Sequence, residues 1–161
     1  MRKVLLTGAS GRIGAEFFAA YNDQYEFFLT DLREPNYLVP EGHKFVKLDL
    51  SDLKTIDRLF LGQDTVVHLA GVPDPDAEFE QIHPANILAT TYLIEASHKA
   101  KVNRFVFASS AQTIEGYPVD LQISSGMEVA PAIYTVSLSA MGRLCVHAMR
   151  HNMACHAFRL E

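Results

Sequence analysis

Residues 3–14 read KVLLTGASGRIG, and how they are read decides the fold. Val4, Leu5 and Leu6 form a short apolar run that ends abruptly in a glycine turn, the pattern of a buried strand. Ile13, Phe17 and Phe18 then recur at helical spacing across residues 11–21. Between the two periods stand Gly8, Gly11 and Gly14, three residues apart. In a strand–turn–helix unit each has a separate task. Gly8 permits the tight turn, Gly11 lets the backbone approach a pyrophosphate, and Gly14 lets helix and strand pack closely. The amides of the turn and of the first helical residues, from Ser10 through Arg12 and Ile13, point their dipole at the same place and favour a negative phosphate. A glycine triplet alone is a weak sign; one framed by strand and helix predicts a dinucleotide.

Outward from this unit, strand-like and helix-like stretches alternate. Strands are expected at 25–31, 44–50, 64–71, 104–110 and 154–160. Helices are expected at 51–62, with Ser51 as N-cap and Gly62 closing it, at 79–100 and at 132–151. Residues 72–78 and 111–131 read as loops. Apolar strands separated by helices imply a parallel sheet covered on both faces. Right-handed crossovers then predict an α/β, doubly wound Rossmann sheet of about six strands in the order 3-2-1-4-5-6. No repeat or Gly/Ser linker divides the chain, so a single NAD(P)-binding domain over 1–161 is expected.

Composition excludes other classes. The chain has 161 residues, 48% hydrophobic and 20% charged, with a net charge of −5 and no basic stripe for nucleic acid. Its apolar runs fall well short of the roughly 20 residues that span a bilayer, and its N-terminus does not read as a signal peptide. Two cysteines, Cys145 and Cys155, make no disulfide framework, so a cytoplasmic setting is expected. His147 and His151 lie four apart on the last helix without a third partner at metal-ligand spacing, and no metal is expected.

Asp31 ends the second strand, 23 residues after Gly8, where a carboxylate accepts hydrogen bonds from the adenosine ribose hydroxyls. A 2′-phosphate would meet a like charge there, which favours NAD over NADP, although Arg12 and Arg33 offset part of that preference. Asp49 and Leu50, after the third strand, are placed to flank the adenine. His68, at the end of the fourth strand, is expected to pack beneath the cofactor.

The glycine turn TGASGRIG, Asp31, DL at 49–50, HLAG at 68–71, Asn86, SS at 109–110 and Tyr134 occur in register. With them the chain resembles the extended short-chain dehydrogenase/reductase superfamily, the group of NAD-dependent epimerases and dehydratases. Within it, RFVFASSAQTIEGYP (104–118) and FEQIHPANILATTYLIEAS (79–97) are most similar to uronate dehydrogenases. The resemblance implies that Leu69, Ala70 and Gly71 line the path towards the nicotinamide and that Asn86 shapes the site. It also implies that Ser110, with Ser109 as fallback, holds the reacting oxygen of a small sugar substrate, and that Tyr134 is the acid/base. A homodimer through the helices at 79–100 and 132–151 is implied as well.

YTVSLSAMG (134–142) departs from the family pattern, because Leu138 stands where the relatives carry a lysine. A tyrosine titrates near 10, so about one in a thousand is phenolate at pH 7. A cation about 4 Å away would favour the phenolate by roughly 4 kcal/mol at an effective dielectric of 20. Leucine contributes none of this, so impaired catalysis is expected. Ala111 and Gln112 also replace the asparagine and histidine of the uronate-type loop, and the relatives' C-terminal substrate-binding part is expected to be absent. The readings left open are a weak NAD-dependent oxidoreductase, a non-catalytic dinucleotide-binding or regulatory module, and a folded product with neither role.

Overall fold

The strands of the computed structural model lie side by side and all parallel. The structure describes residues 1–74, 76–124, 126–128, 130 and 154–158. The sheet is built from β1 (Arg2–Thr7), β2 (Tyr25–Asp31), β3 (Lys44–Lys47), β4 (Thr65–His68), β5 (Arg104–Ala108) and β6 (Ala154–Phe158), in the order β3-β2-β1-β4-β5-β6. This is the doubly wound order expected from the sequence. The chain reverses direction across the sheet between β1 and β4, and in such sheets a crevice opens there beyond the strand ends.

Alternation along each strand sorts side chains between two cores. Leu5, Val66 and Phe105 face a cluster that includes Ile56, Leu59, Leu93 and Ile94. Val4, Leu6, Phe27, Leu29 and Val67 face the opposite cluster with Phe18. Leu5 and Leu6 are both fully buried, so β1 is covered on both sides, as parallel strands require. Helix α1 (Arg12–Tyr21) lies on the second face, with Phe18 edge-on to Phe27 at 5.4 Å and stacked on Tyr37 at 5.3 Å. Phe18 is buried as its spacing predicts, but Ile13 is 49% exposed.

Several boundaries differ from the sequence reading, each for a local reason. The expected helix at 51–62 is a short α2 (Leu53–Ile56) continued by a 3-10 turn to Phe60. Ser51 does not cap it, because its amide and its hydroxyl both donate to Asp49 Oδ1, at 2.8 and 2.7 Å. Strand β3 ends at Lys47, short of the expected 44–50, with the Leu48 amide still donating to the Asp31 carbonyl at 2.9 Å. The expected helix at 79–100 is three pieces: α3 (Phe79–Ile82), a π segment (His83–Leu88) and α4 (Ala89–Lys99). Pro84 has no amide to donate, and the widened register accommodates its ring. Strand β4 stops at His68, because the next residues turn away to pair with Thr7 and Asn86. The helix expected at 132–151 lies outside the described residues.

Candidate functional site

The glycine turn closes over the end of β1. Gly8 has φ +71°, and a Cβ there would stand 2.6 Å from the Ala70 nitrogen and 2.8 Å from the Leu69 carbonyl carbon. A Cβ on Gly14 would strike the Gly8 oxygen. Gly8 and Gly14 are therefore packing glycines that bring β1, α1 and the turn after β4 into backbone contact. Gly11 differs: among the described residues its Cβ would meet only the Gly8 oxygen, at 3.2 Å.

Helix α1 starts with its N-terminus uncompensated. Gly11 supplies no side-chain cap, and the first turn contains no acid. The amides of Arg12, Ile13 and Gly14 have no protein partner among the described residues. Such an end suits an anion electrostatically. With a glycine at the point of closest approach, this donor set fits a pyrophosphate.

On the β2 side, Asp31 is held by two backbone amides. Its Oδ2 accepts from the Ser10 amide at 3.0 Å, and its Oδ1 from the Arg33 amide at 3.1 Å. The Ser10 hydroxyl donates to the Arg33 carbonyl at 2.6 Å. The carboxylate is thus fixed beside the glycine turn, with acceptor capacity remaining for a diol. Tyr37 donates to the Ala9 carbonyl at 2.9 Å. Its phenol titrates above its usual value, first because of burial and then because of the Asp31 charge. Asp49 faces its own turn, and Leu50 is buried in the core with Ile56 and Leu93.

On the β4 side, buried polar side chains do the holding. Leu69 donates its amide to the Thr7 carbonyl at 3.2 Å, and Ala70 donates its own to Thr7 Oγ1 at 3.3 Å. Thr7 Oγ1 lies 2.7 Å from His68 Nδ1, and His68 Nε2 lies 2.9 Å from Thr90 Oγ1. His68 is fully buried, and desolvation lowers its pKa from 6.5 to about 4, so the ring is neutral at pH 7. Asn86 clamps the next residue: Val72 donates to its Oδ1 at 2.7 Å, and its Nδ2 donates to the Val72 carbonyl at 3.1 Å. The carboxamide therefore supports the backbone of the turn, and its Oδ1 lies 3.2 Å from where a Gly71 Cβ would stand.

Ser110 follows β5, and its carbonyl accepts from the Thr113 amide and hydroxyl. Ser109 Oγ is buried without a hydrogen-bond partner among the described residues. Tyr134 and Leu138 lie outside them. Among the described residues no group of three or more His, Cys, Asp or Glu is placed to hold a metal ion, and no helix is long and apolar enough to cross a membrane. Sequence reasoning missed Thr7, Thr90 and Val72 as parts of the site. The available signal was a polar residue where the burial pattern demands an apolar one, as at Thr7 and Thr90.

Known proteins resemble this chain in sequence and fold. Residues 4–157 match the NAD dependent epimerase/dehydratase family. A uronate dehydrogenase of Agrobacterium fabrum is 32% identical over 138 residues, 85% of this chain and 52% of its own length. L-arabinose 1-dehydrogenase (NAD(P)(+)) of Haloferax volcanii is 33% identical over 119 residues, 74% of this chain and 45% of its own. The chain thus spans about half the length of the curated relatives it matches. A crystal structure of a uronate dehydrogenase variant from Agrobacterium tumefaciens, complexed with NAD, superposes with a TM-score of 0.86 at 27% identity, covering 98% of this chain and 59% of that one. On the family match and these relatives, the chain belongs to the NAD dependent epimerase/dehydratase family.

Proposed function

We propose that this chain binds NAD in the crevice between β1 and β4, as the dinucleotide-binding part of an oxidoreductase acting on a sugar or sugar acid. The observation that carries the reading is the uncapped start of α1 beside Gly11, with Asp31 fixed next to it. The open amides of Arg12, Ile13 and Gly14 would hold the pyrophosphate, and Gly8, Ser10 and Gly11 would shape the turn that brings it to them. Asp31 would accept the adenosine ribose hydroxyls and disfavour a 2′-phosphate. Asp49 would border the adenine with Leu50 packed in the core behind it, while Leu69, Ala70 and Gly71, backed by Asn86, would border the other half. Bound there, NAD would supply the hydride acceptor for oxidation of a substrate hydroxyl.

In this reading Ser110 holds the substrate oxygen and Tyr134 takes its proton. Leu138 supplies Tyr134 no cation to raise its phenolate fraction, so proton removal at neutral pH would be slow. That substitution also favours a second reading, a dinucleotide-binding module without chemistry.

Calorimetric titration with NAD and with NADP tests the first part. NAD is expected to bind and NADP to bind more weakly; if neither binds, the reading fails. A Leu138→Lys variant is the test for the second part. Dehydrogenation of a uronic acid, rising at least tenfold over the parent, would support the oxidoreductase. An unchanged rate would leave the binding module.

A further inference from the structure

We propose that Thr90, His68 and Thr7 form a buried positioning relay that sets where Ala70 and Gly71 stand above Gly8, and so how the half of a dinucleotide beyond the pyrophosphate is held. The inference rests on the dinucleotide reading above and adds residues that touch no ligand themselves.

Strand register builds the relay. Thr7 on β1 lies opposite His68 on β4, so both side chains leave the sheet on the same face. That is the α4 face, where Thr90 stands at the second residue of the helix. Thr7, His68 and Thr90 are all at most 3% exposed. Burial shields these groups from bulk solvent, and each contact is made in a low-dielectric interior. His68 has one proton and two ring nitrogens, so one nitrogen donates and the other accepts, and a hydroxyl at each end serves either tautomer. A leucine or phenylalanine at position 68 would fill the space but could not link the two hydroxyls.

The relay ends at the Ala70 amide, which donates to Thr7 Oγ1. That nitrogen is also the atom nearest to a Cβ placed on Gly8. Position along this chain of contacts therefore fixes the gap between the glycine turn and the turn after β4. In doubly wound sheets a dinucleotide lies across the switch point, one half on each side. Asp31 serves the adenosine half, beyond β1 from the relay. Loosening the relay should therefore affect the two halves unequally, which a general loss of stability would not do.

Thr90→Val removes one hydroxyl far from the crevice while keeping the branched shape, and Thr90→Ser restores the hydroxyl. In NAD-free protein, hydrogen exchange of the Ala70 amide is expected to quicken roughly tenfold in Thr90→Val. It should return in Thr90→Ser, with the Leu5 and Val66 amides unchanged. Should Thr90→Val not fold, Thr7→Val against Thr7→Ser asks the same question from the other end. Unchanged Ala70 exchange would overturn the relay whatever binds. In calorimetry the valine variant should bind NAD roughly tenfold more weakly while holding AMP within about twofold of the parent. Equal weakening of NAD and AMP, or none, would also overturn it. A parent that binds neither nucleotide, with Ala70 exchange still responding, would sink the dinucleotide reading and leave the relay standing.

Discussion

On the β2 side of the crevice the decisive side chain is a charge near the surface, whereas on the β4 side it is a neutral ring in the dry interior. Asp31 is held by two backbone amides and keeps lone pairs for a ligand. His68 is held by two hydroxyls, and its ring nitrogens have no capacity left over. The first arrangement leaves acceptors open towards the crevice; the second holds the turn after β4 in place. The difference explains why the two sides should respond to different perturbations.

Gly8 is where the two sides meet, so altering it breaks both. Gly8→Ala would put a methyl against Ala70 and Leu69 backbone atoms that cannot rotate away, at a φ of +71°. The left-handed conformation costs about 1 kcal/mol and the overlap about 2 more. A loss of about 3 kcal/mol in urea unfolding at pH 7 is expected; a loss under about 1 kcal/mol would mean the turns are not locked together.

Acid separates the sides. His68 titrates lower folded than unfolded, about 4 against 6.5, so between those values the unfolded chain binds more protons. Stability should therefore be complete above pH 6.5 and decline as pH falls through the window towards 4. From pH 7 to pH 5 this group accounts for a loss of about 2 kcal/mol. His68→Gln should lower stability at pH 7 yet flatten the decline by that amount relative to the parent. Parallel pH profiles for the two proteins would remove His68 as its origin.

Much of this was legible in the sequence for a physical reason. Strand and helix periods are local, so KVLLTG and YEFFLTD declare themselves and the sheet order follows from handedness. The glycine triplet and Asp31 are likewise local, each tied to a turn whose geometry a few residues decide. Thr7, His68 and Thr90 could not be assembled this way, because 61 residues separate Thr7 from His68 and only the parallel register brings them together. Ser51 misled for a related reason: a serine before a helix can cap it, but Asp49, two residues away, captured its hydroxyl first. Pro84 was visible, but whether a chain answers a proline with a break or with a π turn depends on packing. Asn86 read as a site residue, and only coordinates reveal that both its polar atoms hold Val72.

Gly11 sharpens the comparison with the smallest expected effect on folding. Its backbone is extended, at φ −76° and ψ 165°, a conformation any residue adopts. Among the described residues an added methyl would touch only the Gly8 oxygen, which must yield by a few tenths of an ångström. Restricting the unfolded chain returns about 0.4–1 kcal/mol, so Gly11→Ala should leave stability within about 1 kcal/mol of the parent. In the proposed binding mode the same methyl would stand where a phosphate comes closest to the chain, and NAD affinity should fall at least tenfold, a change of about 1.4 kcal/mol or more. Gly8→Ala and Gly11→Ala then separate along different axes, one in unfolding and the other in binding. If Gly11→Ala bound NAD as the parent does, the phosphates would have to sit away from the start of α1, and Asp31 would lose its reason for being held beside it.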